Sequence, residues 1–301
     1  MLNHLQATPT PPKRCLVVGA GGFIGSSIVE ALTAARVPVL GLTREDVDLL
    51  SGDGVPKLAA HLAPTDAVIF AAAVAPTRSA SQLVDNLRMA ETAIAAFART
   101  PPAHLLYLSS DAVYGENGAP LTETSPVAPS SLHGMMHAAR ELMFRSSVKA
   151  PFAALRPALI YGAADPHAAY GPNRFRRQAA AGEPISLFGE GEEKRDHVAV
   201  EDVADLAVRM VLHRSIGILN AATGVATSFR TVAELIARQH EPPASVVAVP
   251  RSAPPPRPLH RFFDIAACHK AFPDFHFEPL ERGLARVHRA CRSRAGEVAR
   301  G

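Results

Sequence analysis

Tryptophan is absent from this 301-residue chain, and cysteine occurs three times only, as Cys15, Cys268 and Cys291. Three scattered thiols exclude a disulfide framework and a zinc knuckle, and they suit a reducing compartment. Neither sign of charge dominates: 31 Lys and Arg stand against 28 Asp and Glu, a net of +3, with no long basic run. That excludes a broad electrostatic footprint for nucleic acid. No apolar run has the length needed to cross a bilayer. The opening MLNHLQATPTPPKR also lacks the apolar stretch of a secretory signal. The expected location is the cytoplasm, with no membrane and no nucleic acid as partner.

What the chain does have is a rhythm. Short apolar runs at 15–20, 37–42, 66–72, 104–110 and 152–160 alternate with helix-like stretches such as 26–35 and 81–98. This alternation implies an α/β fold, a doubly wound parallel sheet with helices on both faces. In the 81–98 stretch, Leu83, Leu87, Ala90 and Ile94 recur at helical spacing and are expected to face the core. A further run at 217–223 is expected to return to the sheet, and LERGLARVHRACR at 280–292 reads as a closing helix. Residues 1–12, polar and Pro-rich, read as a disordered lead-in.

The first apolar run leads directly into Gly19-Ala-Gly21-Gly22-Phe23-Ile24-Gly25 and then a helix. In that context Gly19 permits a tight turn, Gly22 lets the backbone approach a pyrophosphate, and Gly25 lets the helix pack on the strand. The helix N-terminus then offers unpaired N–H groups to the phosphates. After the second run comes Thr43-Arg44-Glu45-Asp46. Arg44 favours a ribose 2′-phosphate, hence NADP, whereas Glu45 leaves NAD open.

The G-x-x-G-x-x-G spacing resembles the extended short-chain dehydrogenase/reductase family, the NAD-dependent epimerases and dehydratases, over about residues 13–290. In that likeness Asp48-Leu49 lies beside the adenine, and Ala71-Ala72-Ala73 lies against the cofactor. Tyr107-Leu108-Ser109-Ser110-Asp111 resembles the strand-end signature in which Ser110 is the catalytic hydroxyl. Leu108 and Pro157 would border the cofactor, and Asn86 would be structural. The resemblance breaks where the family carries Tyr-x-x-x-Lys: aligned on Pro129 and Glu141, the chain has His133 and His137 instead. One turn apart on a helix face, His133 could serve as acid or base and His137 could hydrogen-bond the ribose. The pair lacks the Glu and the third ligand of a metal site, so no metal is expected.

Downstream, Asn173 falls in a substrate-covering region, and Lys194-Arg195-Asp196-His197-Val198 resembles the block whose Arg meets a substrate diphosphate. Arg257-Pro258 and Phe263-Asp264 have the spacing of a C-terminal motif in dTDP-4-dehydrorhamnose reductases. Asp111 is followed by Ala112 where 4,6-dehydratases need an Asp-Glu pair, which counts against that chemistry. The resemblance thus implies a Rossmann domain from 13–160 and 195–222, with a substrate-binding region from 161–194 and 223–301. It implies an NAD(P)-dependent epimerase or oxidoreductase, such as a 4-keto reductase, acting on a nucleotide sugar as a homodimer. With both catalytic residues replaced, the second reading is a catalytically silent NADP(H)-binding sensor or partner protein.

Overall fold

The computed structural model describes residues 2–115, 119–167, 170–251 and 260–298. In chain order the elements are β1 (Asn3–His4), β2 (Arg14–Val18), α1 (Phe23–Ala34), β3 (Val39–Leu42), α2 (Gly54–His61), β4 (Asp66–Phe70), α3 (Ala80–Arg99) and β5 (His104–Leu108). There follow α4 (Leu132–Ser147), β6 (Phe152–Pro157), β7 (Leu159–Tyr161), α5 (Pro172–Ala180), β8 (Ile185–Phe188), β9 (Lys194–Ala199) and α6 (Val200–Leu212). The chain closes with β10 (Ser215–Ala221), β11 (Ala226–Ser228), α7 (Phe229–Ala237), β12 (Val246–Val249), α8 (Ala266–Ala271) and α9 (Leu280–Val298).

The main sheet runs β1-β10-β6-β5-β4-β2-β3, parallel throughout except for β1. Successive residues of each strand feed opposite cores, as a sheet covered on both faces requires. Cys15 and Val17, Ala67 and Ile69, and Leu106 and Leu108 face one side, where they pack with α1 and α6. Leu16 and Val18, Val68 and Phe70, and Leu105 and Tyr107 face the other, with α2, α3 and α4. This is the doubly wound Rossmann arrangement.

Among the described residues, 2–12 are not a loose lead-in. Asn3 and His4 pair antiparallel with Ile216 and Ser215 and close the open edge of β10. The His4 ring bonds Ser215 Oγ at 2.8 Å and the Ala271 carbonyl at 3.0 Å, so the segment is tied to α8 as well. An unpaired sheet edge is a row of unsatisfied donors and acceptors, and this short polar strand covers it.

The smaller region is built on a second sheet, β11-β9-β7, and the pair β12-β8. Its core gathers Tyr161, Phe175, Ile185, Leu187, Phe229, Ile236 and Leu284 from α5, α7, α9 and the strands between them. Two expected boundaries move. The 152–160 run is broken at Ala158, so that β6 stays in the main sheet while β7 starts the small one. Residues 195–199 lie in β9 of the small sheet, and α6 and β10 alone return from 200 onward. Cys268, Phe272 and Phe275, expected in the substrate region, pack into the large core instead.

The inward face of α3 shares Ala90 with the face its Leu spacing suggests but is rotated from it toward the small residues. Asn86, Ala90, Ala93, Ala96 and Phe97 are buried, while Leu83, Leu87 and Ile94 are half-buried beside them. Small residues let α2 come close: a side chain at Gly54 would meet Thr92 at 3.1 Å. Among the described residues no helix is long and apolar enough to cross a membrane.

His197 on β9 is 2% exposed and neither ring nitrogen has a partner at hydrogen-bond geometry. Burial, helped by Arg195, pulls its pKa down to about 3. The unfolded chain therefore takes up a proton near pH 6.5 that the folded chain refuses, and stability falls as pH drops below that value. Comparing wild type with His197→Phe by denaturant unfolding at pH 7.5 and pH 5 isolates this term. The variant is expected to gain about 2 kcal/mol relative to wild type over that interval, whatever constant offset its larger ring adds. A pH-independent difference would show that His197 titrates normally in the fold.

Candidate functional site

The C-terminal ends of β2, β3 and β4 open into a crevice of ≈ 520 Å³. Its walls bring together Gly19, Gly22, Thr43, Arg44, Asp48, Leu49 and Ala71-Ala72-Ala73 from four separate stretches of sequence. Val18, Gly21, Leu42 and Glu45 also line it, as do Val47, Val74 and Met89, which carry no motif and were not singled out from sequence. Gly19 has φ +94°, and a Cβ there would lie 2.6 Å from the Ala72 nitrogen, so only glycine fits between the first turn and β4. Gly22 caps α1 in an extended conformation, and no acidic residue lies in the first turn of the helix. The positive end of the helix is therefore left for an anion.

The expected cofactor residues Phe23, Ile24 and Gly25 of α1 also meet the rest of the protein, Gly25 in the packing role its place in the motif implies. A Cβ on Gly25 would run into the Gly19 carbonyl, so this glycine seats the helix on the turn. Ile24 packs against the large core, and the Phe23 ring lies against Gly162 at the start of the substrate loop. Leu108 and Pro157 are buried at the ends of β5 and β6. At the end of β3, Arg44 is held to Asp48 at 3.1 Å but is 79% exposed, while Asp46 accepts from the Thr43 N–H and hydroxyl at 2.8 Å each.

The other end of the site is built by α4. Ser131 caps this helix by accepting from Gly134 N at 3.1 Å, and a Cβ at Gly134 would strike the Ala112 carbonyl. That contact presses the helix onto the 111–113 turn and brings His133 within electrostatic reach of Asp111. His133 Nδ1 lies 3.5 Å from the Thr77 N–H, and its ring stands perpendicular to that of His137 with centroids 4.7 Å apart. Burial lowers the His133 pKa against the pull of Asp111, with His167 adding to the lowering. His137, 6% exposed, is pushed well below the usual imidazole value by burial and then by His133 and Arg140. Both shifts favour the neutral imidazole. Ser110 caps the 111–113 turn by accepting from Ala112 N at 3.1 Å.

Sequence reasoning missed two residues here. The Tyr107 hydroxyl is 2.7 Å from His137 Nδ1, and Arg140 is fully buried behind it. Local pattern gives only their directions: Tyr107 alternates with Leu106 and Leu108 toward α4, and Arg140 sits three residues after His137 on the same helix face; that the two meet does not show in the sequence. Beneath them Glu141 accepts from Ser109 Oγ at 2.5 Å and from Arg156 at 2.6 and 2.9 Å.

At the substrate end, Arg195 pairs with Glu193 at 2.6 Å, and Asp111 pairs with Arg261 at 3.1 Å. Asn173 does not present its amide to a ligand: Oδ1 accepts from Gly162 N at 3.3 Å and Nδ2 donates to Asp165, so it ties down the loop after β7. Asp196 is spent on the turn at Thr223-Gly224. Arg257 lies outside the described residues. Among those residues no three His, Cys, Asp or Glu side chains gather as metal ligands.

A model of the NAD dependent epimerase/dehydratase family matches residues 15–222, and the chain belongs to that family. It is 32% identical to the UDP-glucose 4-epimerase of Mycolicibacterium smegmatis, over 74% of this chain and 82% of that protein. Its fold superposes on the UDP-glucose 4-epimerase of Thermus thermophilus in complex with NAD, with TM-score 0.78, 25% identity, and 93% and 99% of the two chains covered. The UDP-N-acetylglucosamine 4-epimerase of Methanobrevibacter ruminantium, in complex with UDP-N-acetylmuramic acid, has the same fold at TM-score 0.79 and 24% identity, covering 95% and 100%.

Proposed function

We propose that the chain is an NAD(P)-dependent epimerase of nucleotide sugars, working through a 4-keto sugar with a histidine in the proton-transfer position. The observation that carries this is His133 on the helix that Gly134 seats against the 111–113 turn, within electrostatic reach of Asp111 and with its pKa lowered by burial. The crevice residues fit a dinucleotide: glycine where a Cβ would collide, a helix N-terminus free of acids, and small alanines just after β4. When bound, NAD(P) supplies the hydride acceptor and donor.

The chain's own side chains do the rest. His133 removes the proton of the sugar hydroxyl as that carbon is oxidised, and returns it after the keto sugar has presented its other face. The Ser110 hydroxyl hydrogen-bonds the same oxygen, and His137 reaches the ribose. Arg195 and Arg261, both only partly exposed, supply donors for a diphosphate at the price of exchanging Glu193 and Asp111 for it. A 4-keto reductase would use the same groups in one direction only.

The test is titration of the purified protein with NADPH and NADH, followed by incubation of the complex with UDP-hexoses and 4-keto sugar nucleotides. Dinucleotide binding with interconversion of C4 epimers is the expected result. Net consumption of NADPH by the keto sugars would make the enzyme a reductase, and binding without turnover would leave the sensor reading. Arg44→Ala should weaken NADPH about tenfold and NADH less than twofold, the loss of one charge-assisted contact to the 2′-phosphate. Equal losses for both cofactors would remove Arg44 from that role.

A further inference from the structure

Arg140 poses a charge problem. It is 0% exposed, and the nearest carboxylate on its helix, Glu141, is already engaged by Ser109 and Arg156. Its Nε donates to the Asn86 carbonyl and Nη1 to the Ala72 carbonyl, each at 2.8 Å, while Nη2 is buried with no partner at hydrogen-bond geometry. The guanidinium also lies 5.4 Å from the centre of the Phe70 ring. Carbonyls and a ring face compensate a buried cation only in part. Ala72 lines the crevice, so this permanent charge sits one peptide group behind its wall.

The same cation faces the Tyr107 phenol. A dipole beside a cation turns its oxygen toward the charge and its hydrogen away. The phenol proton then points at His137 Nδ1, 2.7 Å distant. The opposite arrangement, with Nδ1–H donating to the phenol, would leave the phenol proton only Met136 Sδ at 3.9 Å, a weak acceptor. A neutral imidazole whose Nδ1 accepts carries its proton on Nε2.

We infer that Tyr107 and Arg140 are positioning residues for the site: through the chain Arg140–Tyr107–His137 they lock His137 as the Nε2–H tautomer and hold a permanent positive charge behind the dinucleotide. His137 is thereby a pure donor from Nε2 across the pH range in which His133 works, and it does not compete with His133 for the substrate proton. The inference rests on the proposed function for the identity of the ligand; the tautomer itself is a property of the chain alone.

The experiment reads the two separately. Two-bond ¹H–¹⁵N correlation spectra of the ligand-free protein, from pH 5.5 to 8, give the tautomer of each histidine. His137 is expected as a single neutral Nε2–H form in wild type. In Tyr107→Phe, which keeps the ring and removes only the hydroxyl, it is expected as a mixture of tautomers. In Arg140→Met its pKa is expected to rise, because a like charge has gone. With a substrate found, Tyr107→Phe should lower kcat about tenfold, the loss of one orienting hydrogen bond, and move KM less than twofold. An Nδ1–H form in wild type, or an unchanged single tautomer in Tyr107→Phe, overturns the inference. Failure of NADPH and NADH to bind a protein that shows the expected tautomers would instead overturn the functional reading.

Discussion

Replacing His133 with Ala is expected to lower the rate of epimer interconversion by about 10³, within the 10²–10⁴ range of a lost general acid or base. The argument is one of protonation state. Burial already holds His133 below the ordinary imidazole pKa, so at pH 7 it is a neutral base with no proton to shed first. A group with a lowered pKa keeps its basic form into mildly acid solution. The wild-type rate should therefore be flat from pH 8 down to about 6.5, the ordinary histidine value, and fall only below it. In His133→Ala that acid limb should vanish together with the rate. Dinucleotide affinity should stay within threefold of wild type, because His133 is not part of the crevice wall. A variant retaining more than a tenth of the wild-type rate, with the acid limb intact, would remove His133 from the role of base.

The contrast between His133 and its surroundings shows which parts of the site a sequence can carry. The glycines at 19, 22 and 25 were legible because each answers a backbone constraint, and such constraints fix spacing. The histidine pair was legible because i and i+4 share a helix face. What escaped was long-range: Tyr107 on β5 and Arg140 on α4 meet only after the sheet has aligned β5 beneath the helix. Arg140 in particular reads in sequence as an ordinary solvated charge, and nothing local says that it will be buried without a carboxylate. Asn173 departs in the other direction: its motif position suggested a ligand contact, yet the fold gives its amide to the loop after β7. The strand at Asn3–His4 was missed for a similar reason, since two polar residues form a strand only because β10 offers them an edge.

Arg156→Met is expected to be the most destabilising single change in the site, at about 3–5 kcal/mol. Arg156 is 1% exposed and makes a two-pronged contact with Glu141, at 2.9 Å from Nε and 2.6 Å from Nη2, with its guanidinium 4.9 Å from the centre of the Tyr114 ring. Methionine keeps the apolar volume over Tyr114 but leaves the Glu141 carboxylate buried without its cation. For a chain of this size the loss should lower the melting temperature by about 10 °C. The pair is not thereby a large net source of stability, because desolvating both charges costs nearly what their attraction returns. Removing both, as Glu141→Leu with Arg156→Met, should recover more than half of the single-variant loss. A double variant as unstable as the sum of the two singles would mean that the charges act independently. The pair's remaining task is positional. Glu141 also accepts from Ser109, the residue before Ser110, so the ion pair pins the end of β5 next to Ser110. The double variant should therefore stay folded yet lose turnover, because Ser109 has lost the carboxylate that fixes it.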